Sequence, residues 1–146
     1  MAEVLVNLTT AFFTRFTEVI AGSHNTFYEL IQGRMYEDQA DDGAPFPYAV
    51  YRIIASPKDR TFSEEFRETI IQLSLFSITR SSSEIKAIYY AASTLYDECL
   101  LTITGSTLLW LRETNLVEMV DEIITPDGTA MVRHYAVDFE CYTSLT

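Results

Sequence analysis

Positive charge is scarce in this chain. Its 10 Lys and Arg face 21 Asp and Glu, giving a formal net charge of −11. Phosphate affinity comes from clustered Lys and Arg, so this balance argues against a dedicated nucleic-acid binder. Glycine is also sparse, at 5 in 146 residues, which leaves little backbone able to cradle phosphates. Neither a Walker A nor a GxGxxG sequence occurs, and the GxSxG nucleophile elbow is missing. Cys99 and Cys141 are far apart, each in an apolar setting, and read as reduced, buried thiols. With His24 and His134 they are too few and too scattered for zinc-ligand spacing, and no CxxC or HxxxH pair exists. No run approaches the roughly 18 consecutive apolar residues of a membrane span. Glu3, Arg15 and Glu18 interrupt the apolar N-terminal stretch and no basic segment precedes it. No targeting segment is therefore expected, and a reducing cytoplasm is the expected setting.

What the chain does have is apolar bulk. Hydrophobic residues make up 48%, well above a disordered composition, and the length suits one core in one domain, residues 1–146. Tyr 9 and Phe 9 are unusually many, enough to fill a core or to line a subunit contact.

Leu5, Leu8, Phe12, Phe16 and Val19 recur at three- and four-residue steps, predicting a helix from about Val4 to Ala21 that Gly22 ends. A short second helix is expected over Thr26 to Gln32, then a brief strand at Arg34 to Tyr36 and an exposed acidic loop from Glu37 to Phe46. Pro45 and Pro47 suit a strand entrance, and the run Tyr48 to Ala55 reads as that strand. Ser56 to Arg60 carries a turn signature, Pro57–Lys58–Asp59. A long strand follows from about Glu64 to Ile78, with Ile71, Leu73 and Leu75 on one face and Ile70, Gln72, Ser74 and Phe76 on the other. Ser81 and Glu84 have capping-box spacing at the head of a helix whose face runs from Ile85 through Tyr96 to Cys99 and Leu100. Thr107 to Arg112 and Leu116 to Ile124 read as β with a bend or bulge between them. Pro126–Asp127–Gly128 marks a hairpin turn into a last strand, an edge or hairpin strand buried on one face through Met131, Tyr135, Val137, Phe139 and Cys141. The expected class is α+β: a mainly antiparallel sheet of four to five strands with two amphipathic helices on one face.

Several residues invite a functional reading. In the acidic run, Asp38, Asp42 and Gly43 fall at EF-hand positions one, five and six. Ala40 then stands at the third position and Ala49 replaces the twelfth-position glutamate, so a solvated loop is the better reading and no metal is expected. His24 and His134 read as ordinary surface or hydrogen-bonded histidines. Lys58, Asp59 and Arg60 are either a plain hairpin tip or a contact to a neighbour. Trp110, flanked by Leu108, Leu109 and Leu111, is either core or a subunit anchor. Asp38, Asp41, Asp42, Lys58, Asp59, Arg60 and Trp110 are thus the candidate interface residues, with no catalytic or cofactor-binding set beside them.

The order of segments carries a resemblance. LIQGRMY leads to PFPYAVYRI, a polar turn, a β run ending LSLFSI, a helix with AASTLYDECL and a closing hairpin. Over nearly its whole length this resembles the tail-completion or tail-terminator proteins of long-tailed bacteriophages. The resemblance implies an α+β protomer without catalytic residues or cofactor, assembled into a ring, commonly a hexamer. Such a ring ends tail-tube growth and joins the tail to the head. The partners implied are other copies of the chain, the tail tube protein and a head-completion or connector protein, with genomic DNA passing through unbound and no membrane involved. The implied location is the virion neck, after assembly in the host cytoplasm. The acidic Glu37–Asp42 stretch and the Thr107–Ile124 region match no strict motif of that family. Two other readings stand beside it: a neck adaptor of the head-completion type, and a small cytoplasmic α+β enzyme or ligand-binding domain.

The charge balance makes one prediction whichever reading holds. Filter binding to duplex DNA at physiological salt is expected to show no base-sequence preference, and a nanomolar, sequence-selective constant would overturn it.

Overall fold

A computed structural model describes residues 2–60, 64–126 and 128–144. In chain order the elements are α1 (Ala2–Thr17), α2 (Thr26–Ile31), β1 (Met35–Glu37), β2 (Tyr48–Ala55), β3 (Lys58–Arg60), β4 (Glu65–Ser77), α3 (Ser83–Tyr96), β5 (Thr107–Thr125) and β6 (Gly128–Ser144). The sheet runs β1-β2-β4-β6-β5, and the short β3 pairs with the first residues of β4. Among the described residues only β1 and β2 pair in parallel; the other pairs are antiparallel. The class is therefore the expected α+β, with a third, short helix.

Alternation along β4 decides where the core lies. Thr69, Ile71, Leu73, Leu75 and Ser77 are buried, while the residues between them are half-buried on the opposite face. The buried face continues through Ala49 and Tyr51 on β2 and Val137, Phe139 and Cys141 on β6. Against it pack Leu8, Phe12 and Phe16 of α1, Phe27 and Ile31 of α2, and Ile85, Ile88, Ala92 and Tyr96 of α3. The Phe12 ring stacks on Tyr96 with centroids 3.9 Å apart, and the Tyr96 hydroxyl donates to the Phe12 carbonyl at 2.8 Å. That bond lets a phenol lie fully buried, where desolvation pushes its pKa well above the usual value. Cys99 and Cys141 are free and buried, and desolvation pushes the Cys141 thiol up to about 12.

Several boundaries differ from the sequence expectation, each for a local reason. α1 stops at Thr17 rather than Ala21, because Asn25 Nδ2 donates to the Phe16 carbonyl at 2.9 Å and the chain turns through Ala21 and Gly22, both at positive φ. The capping box does not form: Glu84 accepts from Ser77 Oγ at 2.7 Å, and Ser81 Oγ instead takes the Ser83 N–H. α3 ends at Tyr96, since the Asp97 carboxylate accepts the Glu113 N–H and the Glu98 N–H reaches the Leu111 carbonyl. Leu100 consequently leaves the helix face and is 82% exposed. Lys58, Asp59 and Arg60 are a strand, not a turn, held in register against Glu65–Arg67. Of the two alternatives for β6 the hairpin strand holds and the edge does not, since β5 pairs one side and β4 the other. β5 is one 19-residue strand with register shifts at Leu108/Trp110 and Glu113/Asn115, the second at the expected irregularity. Asp127, in the expected turn, lies outside the described residues.

The Phe12–Tyr96 contact makes a graded prediction. Phe12→Ala empties a fully buried site and is expected to cost about 3–5 kcal/mol in urea denaturation. Tyr96→Phe keeps the stack and loses one hydrogen bond, so about 1 kcal/mol is expected. Equal losses would refute this division of labour.

Candidate assembly interface

The helices cover one face of the sheet, and the other face is built from half-buried aromatics. Even-numbered positions of β2 and β4 point there, as the pleat requires. At the end where β2 begins, Phe46 lies tilted against Tyr48, which stacks on Phe76, which stacks on His134, a row with centroid separations of 5.1, 4.9 and 4.3 Å. At the other end Phe66 and Trp110 lie on the two sides of Tyr142, 5.5 and 4.5 Å away. The Arg112 guanidinium sits 4.8 Å over the indole, and Trp110 Nε1 donates to Glu140 at 3.3 Å. Between the two clusters Gln72 donates to Asp138 at 3.2 Å.

The loop after β1 folds over the first cluster. Arg34 fixes its far end, Nε donating to the Pro47 carbonyl at 3.0 Å and Nη2 to the Phe46 carbonyl at 3.2 Å. The Asp38 N–H donates to the Tyr51 carbonyl at 2.9 Å, so this loop is pinned at both ends. Between loop and sheet lies an open groove of about 590 Å³, walled by Asp38, Asp41 and Asp42 and floored by Val50, Arg52, Ser74 and His134.

The candidate residues thus fall into three places. Asp38, Asp41 and Asp42 share the loop over the first cluster. Lys58 and Arg60 lie at the opposite end of β4, both directed at Glu65, at 3.4 and 3.7 Å. Asp59 is on the same strand. Trp110 belongs to the second aromatic cluster on the open face, not to the core. Sequence reasoning passed over Phe46, Tyr48, Phe66, Phe76 and Tyr142, although the alternation in β2 and β4 was the available signal. Among the described residues no group of three or more His, Cys, Asp or Glu is placed to hold a metal. A half-apolar, half-polar surface with aromatic anchors and carboxylates suits protein contact.

Residues 23–144 match the family described as Tail completion protein gp17. The chain belongs to that family. The matched span takes in the whole sheet, the acidic loop and α3, and omits α1. Among solved structures, a chain titled as the virion of a native gene transfer agent (GTA) particle superposes with a TM-score of 0.69. The match covers 97% of both chains at 14% identity, so the likeness is one of fold and includes α1. None of the curated proteins matches the chain.

His134 gives this face a pH signature. Burial lowers its pKa from the ordinary 6.5, with Asp121 pulling the other way. A lowered folded value means the unfolded chain takes up the proton first, so this contribution to stability is present at neutral pH and fades as pH falls through 6.5 toward the folded value. Between about pH 7.5 and about pH 5 the wild type is expected to lose more stability than His134→Phe, read from urea midpoints. Parallel losses would show that His134 is not desolvated.

Proposed function

We propose that this tail-completion protein is a structural part of a phage or phage-like particle. Copies close into a ring, most simply a hexamer, that ends tail-tube growth and joins the tail to the head connector. The observation carrying this reading is the family match over residues 23–144. The physical argument is one of surfaces. A tube of stacked rings always presents the same top surface, so growth continues until a different ring occupies it. The capping ring must fit the tube on one side and offer, on the other, a surface the tube subunit cannot recognise; that second surface is free to receive the head.

Two segments are offered for these two contacts, the loop Glu37–Phe46 and the stretch from Ser56 to Ser63, of which residues 61–63 lie outside the described ones. They sit toward opposite ends of β4, which is what a two-sided ring needs. An acidic protein lets the duplex pass without holding it. The reading includes no catalytic step and no cofactor, and puts the protein in the virion after assembly in the host cytoplasm. A neck adaptor of the connector type is the second reading, favoured by the same acidic loop if that loop meets only head proteins.

Electron microscopy of particles lacking the protein separates these readings. Overlong or unfinished tails beside DNA-filled, tailless heads are expected. Tails of normal length that fail to attach would point to the adaptor, and normal infectious particles would remove both.

A further inference from the structure

An edge strand leaves alternate backbone N–H and C=O groups unpaired, and this sheet closes parts of its own margin. On β1 the outward Met35 N–H donates to the Gly33 carbonyl at 3.1 Å, and the outward Glu37 carbonyl accepts the Gln39 N–H at 2.7 Å. On β5 the Glu113 N–H donates to Asp97 Oδ1 at 2.9 Å, and the Leu111 carbonyl accepts the Glu98 N–H at 2.7 Å. The segment that follows α3 thus shuts this stretch of β5 to an incoming strand.

The same two bonds fix which residues face outward farther along. Leu111 and Glu113 turn their backbone groups away from β6, and their partners there are the odd-numbered Cys141 and Phe139. Beyond the register shift, Leu116, Glu118, Val120 and Glu122 pair with Val137, Tyr135, Arg133 and Met131, again odd-numbered, so their N–H and C=O groups also point outward. Among the described residues no other element bonds to them. The edge of β5 is therefore open over residues 116–122.

The side chains along that edge define what fits it. Glu118 and Glu122 lie on the helix-layer side and Asp121 on the other, all three exposed. Among the described residues no salt bridge holds any of them. Val117 and Val120, 44% and 52% exposed, lie between them, one to each face. Arg133 is opposite Val120, but on β6, one strand spacing of about 5 Å farther from anything added outside β5. Its Nη2 donates to the Arg80 carbonyl at 2.7 Å, past the end of β4, and Arg80 lines that same notch. Both cations thus belong to the inner side of the hairpin, and the outer edge is acidic.

We propose that residues 116–122 take an extended segment of another protein as one more strand, with Lys or Arg opposite Glu118, Asp121 and Glu122 and apolar side chains opposite Val117 and Val120. The ladder supplies affinity and the side chains supply choice. Pairing of β5 with a second β5 is disfavoured, since it crowds Glu118, Asp121 and Glu122 of both copies into one seam without a cation. The cationic β3 does not serve either: it is 3 residues long, and Lys58 and Arg60 already face Glu65. This contact is separate from ring closure and does not depend on it.

Amide hydrogen exchange read residue by residue tests it, with the end-blocked peptide Lys-Lys-Val-Val-Lys-Val-Val as the probe. In the protein alone, the Glu118, Val120 and Glu122 amides are expected to exchange fast, and those of Val117, Met119 and Asp121, laddered to β6, slowly. Peptide at ten times its Kd is expected to slow the fast set about tenfold. Alternate peptide amides face β5, so N-methylation of the third and fifth is expected to abolish the effect and of the fourth and sixth to spare it. The same peptide with glutamate for lysine is expected to leave the wild type unchanged and to protect Glu118→Lys/Asp121→Lys/Glu122→Lys. Should that variant misfold, the two methylated peptides still decide on the wild type. No slowing at any peptide concentration, or equal effects of the two methylated peptides, overturns the proposal. Edge amides already slow in the protein alone would mean that a second copy sits there, and overturn it too. Protection by the peptide in a protein that never forms rings upholds the strand contact while the ring reading falls.

Discussion

Phe12 is the residue on which the two-layer arrangement depends. Its ring meets Tyr96 of α3 at 3.9 Å, Tyr51 of β2 at 5.4 Å and Phe139 of β6 at 6.5 Å, so one side chain touches both long helices and two central strands. The Tyr96 hydroxyl then ties α3 to the α1 backbone. Asn25 extends the same linkage: its Nδ2 donates to the Phe16 carbonyl at the end of α1, and its Oδ1 accepts the Tyr28 N–H at the start of α2. Arg15 Nε donates to the Leu95 carbonyl near the end of α3. These bonds tie the three helices into one plate. A plate of this size, α3 being 14 residues long, cannot shelter the full length of β6 and β5, which run 17 and 19 residues. The end of the β5–β6 hairpin beyond the last β4 pair is left uncovered by that mismatch in length.

The same plate leaves the second face of the sheet without a layer, and the side chains there compensate by covering one another. Tyr48 on Phe76 and Tyr142 on Trp110 stack across neighbouring strands, which removes ring area from water without a second core. Such pairs are rigid, since each ring has two torsions and both are held by the neighbour. A rigid, half-buried aromatic surface loses little side-chain freedom on meeting a partner, and this favours recognition. Polar groups between the stacks, Gln72 with Asp138 and Trp110 with Glu140, are already paired and fix where a partner's own donors can fit.

Periodicity in the sequence revealed most of this architecture. The period-2 run in β4 and the 3.6-period stripes of α1 and α3 placed the layers, because burial on one face leaves a pattern that any register error would spoil. The misses share one cause: a partner on another element outbid a local signal. Glu84 had capping-box spacing, yet the Ser77 hydroxyl, fixed at the end of β4, was the nearer donor. Pro57–Lys58–Asp59 had turn chemistry, yet β4 offered free ladder groups beyond the end of β2 and drew Lys58–Arg60 into strand. Of the two readings of Trp110, core drops out, because a register shift between Leu108 and Trp110 alters the alternation and brings it opposite Tyr142 on the open face. Those partners stand on other elements, beyond the three- and four-residue spacings that a local pattern reads. The candidate site was legible only in part for the same reason: the acidic loop is visible as composition, whereas the aromatic floor beneath it is assembled from β2, β4 and β6.

The few cations help to explain how so acidic a chain stays folded and what its surface can do. Arg15, Arg34, Arg67 and Arg133 each direct a guanidinium nitrogen at a backbone carbonyl, of Leu95, of Pro47 and Phe46, of Ser56 and of Arg80 respectively. Lys58 and Arg60 face Glu65, and Arg112 pairs with Glu98. Much of the positive charge thus fastens loops and strand ends to the body rather than standing clear for a phosphate. The carboxylates remain largely outside: Asp38, Asp41 and Asp42 are exposed on the loop, and Glu118, Asp121 and Glu122 on β5. Self-repulsion is strongest where such groups crowd together, so an acidic surface of this kind favours contacts that are apolar at their centre.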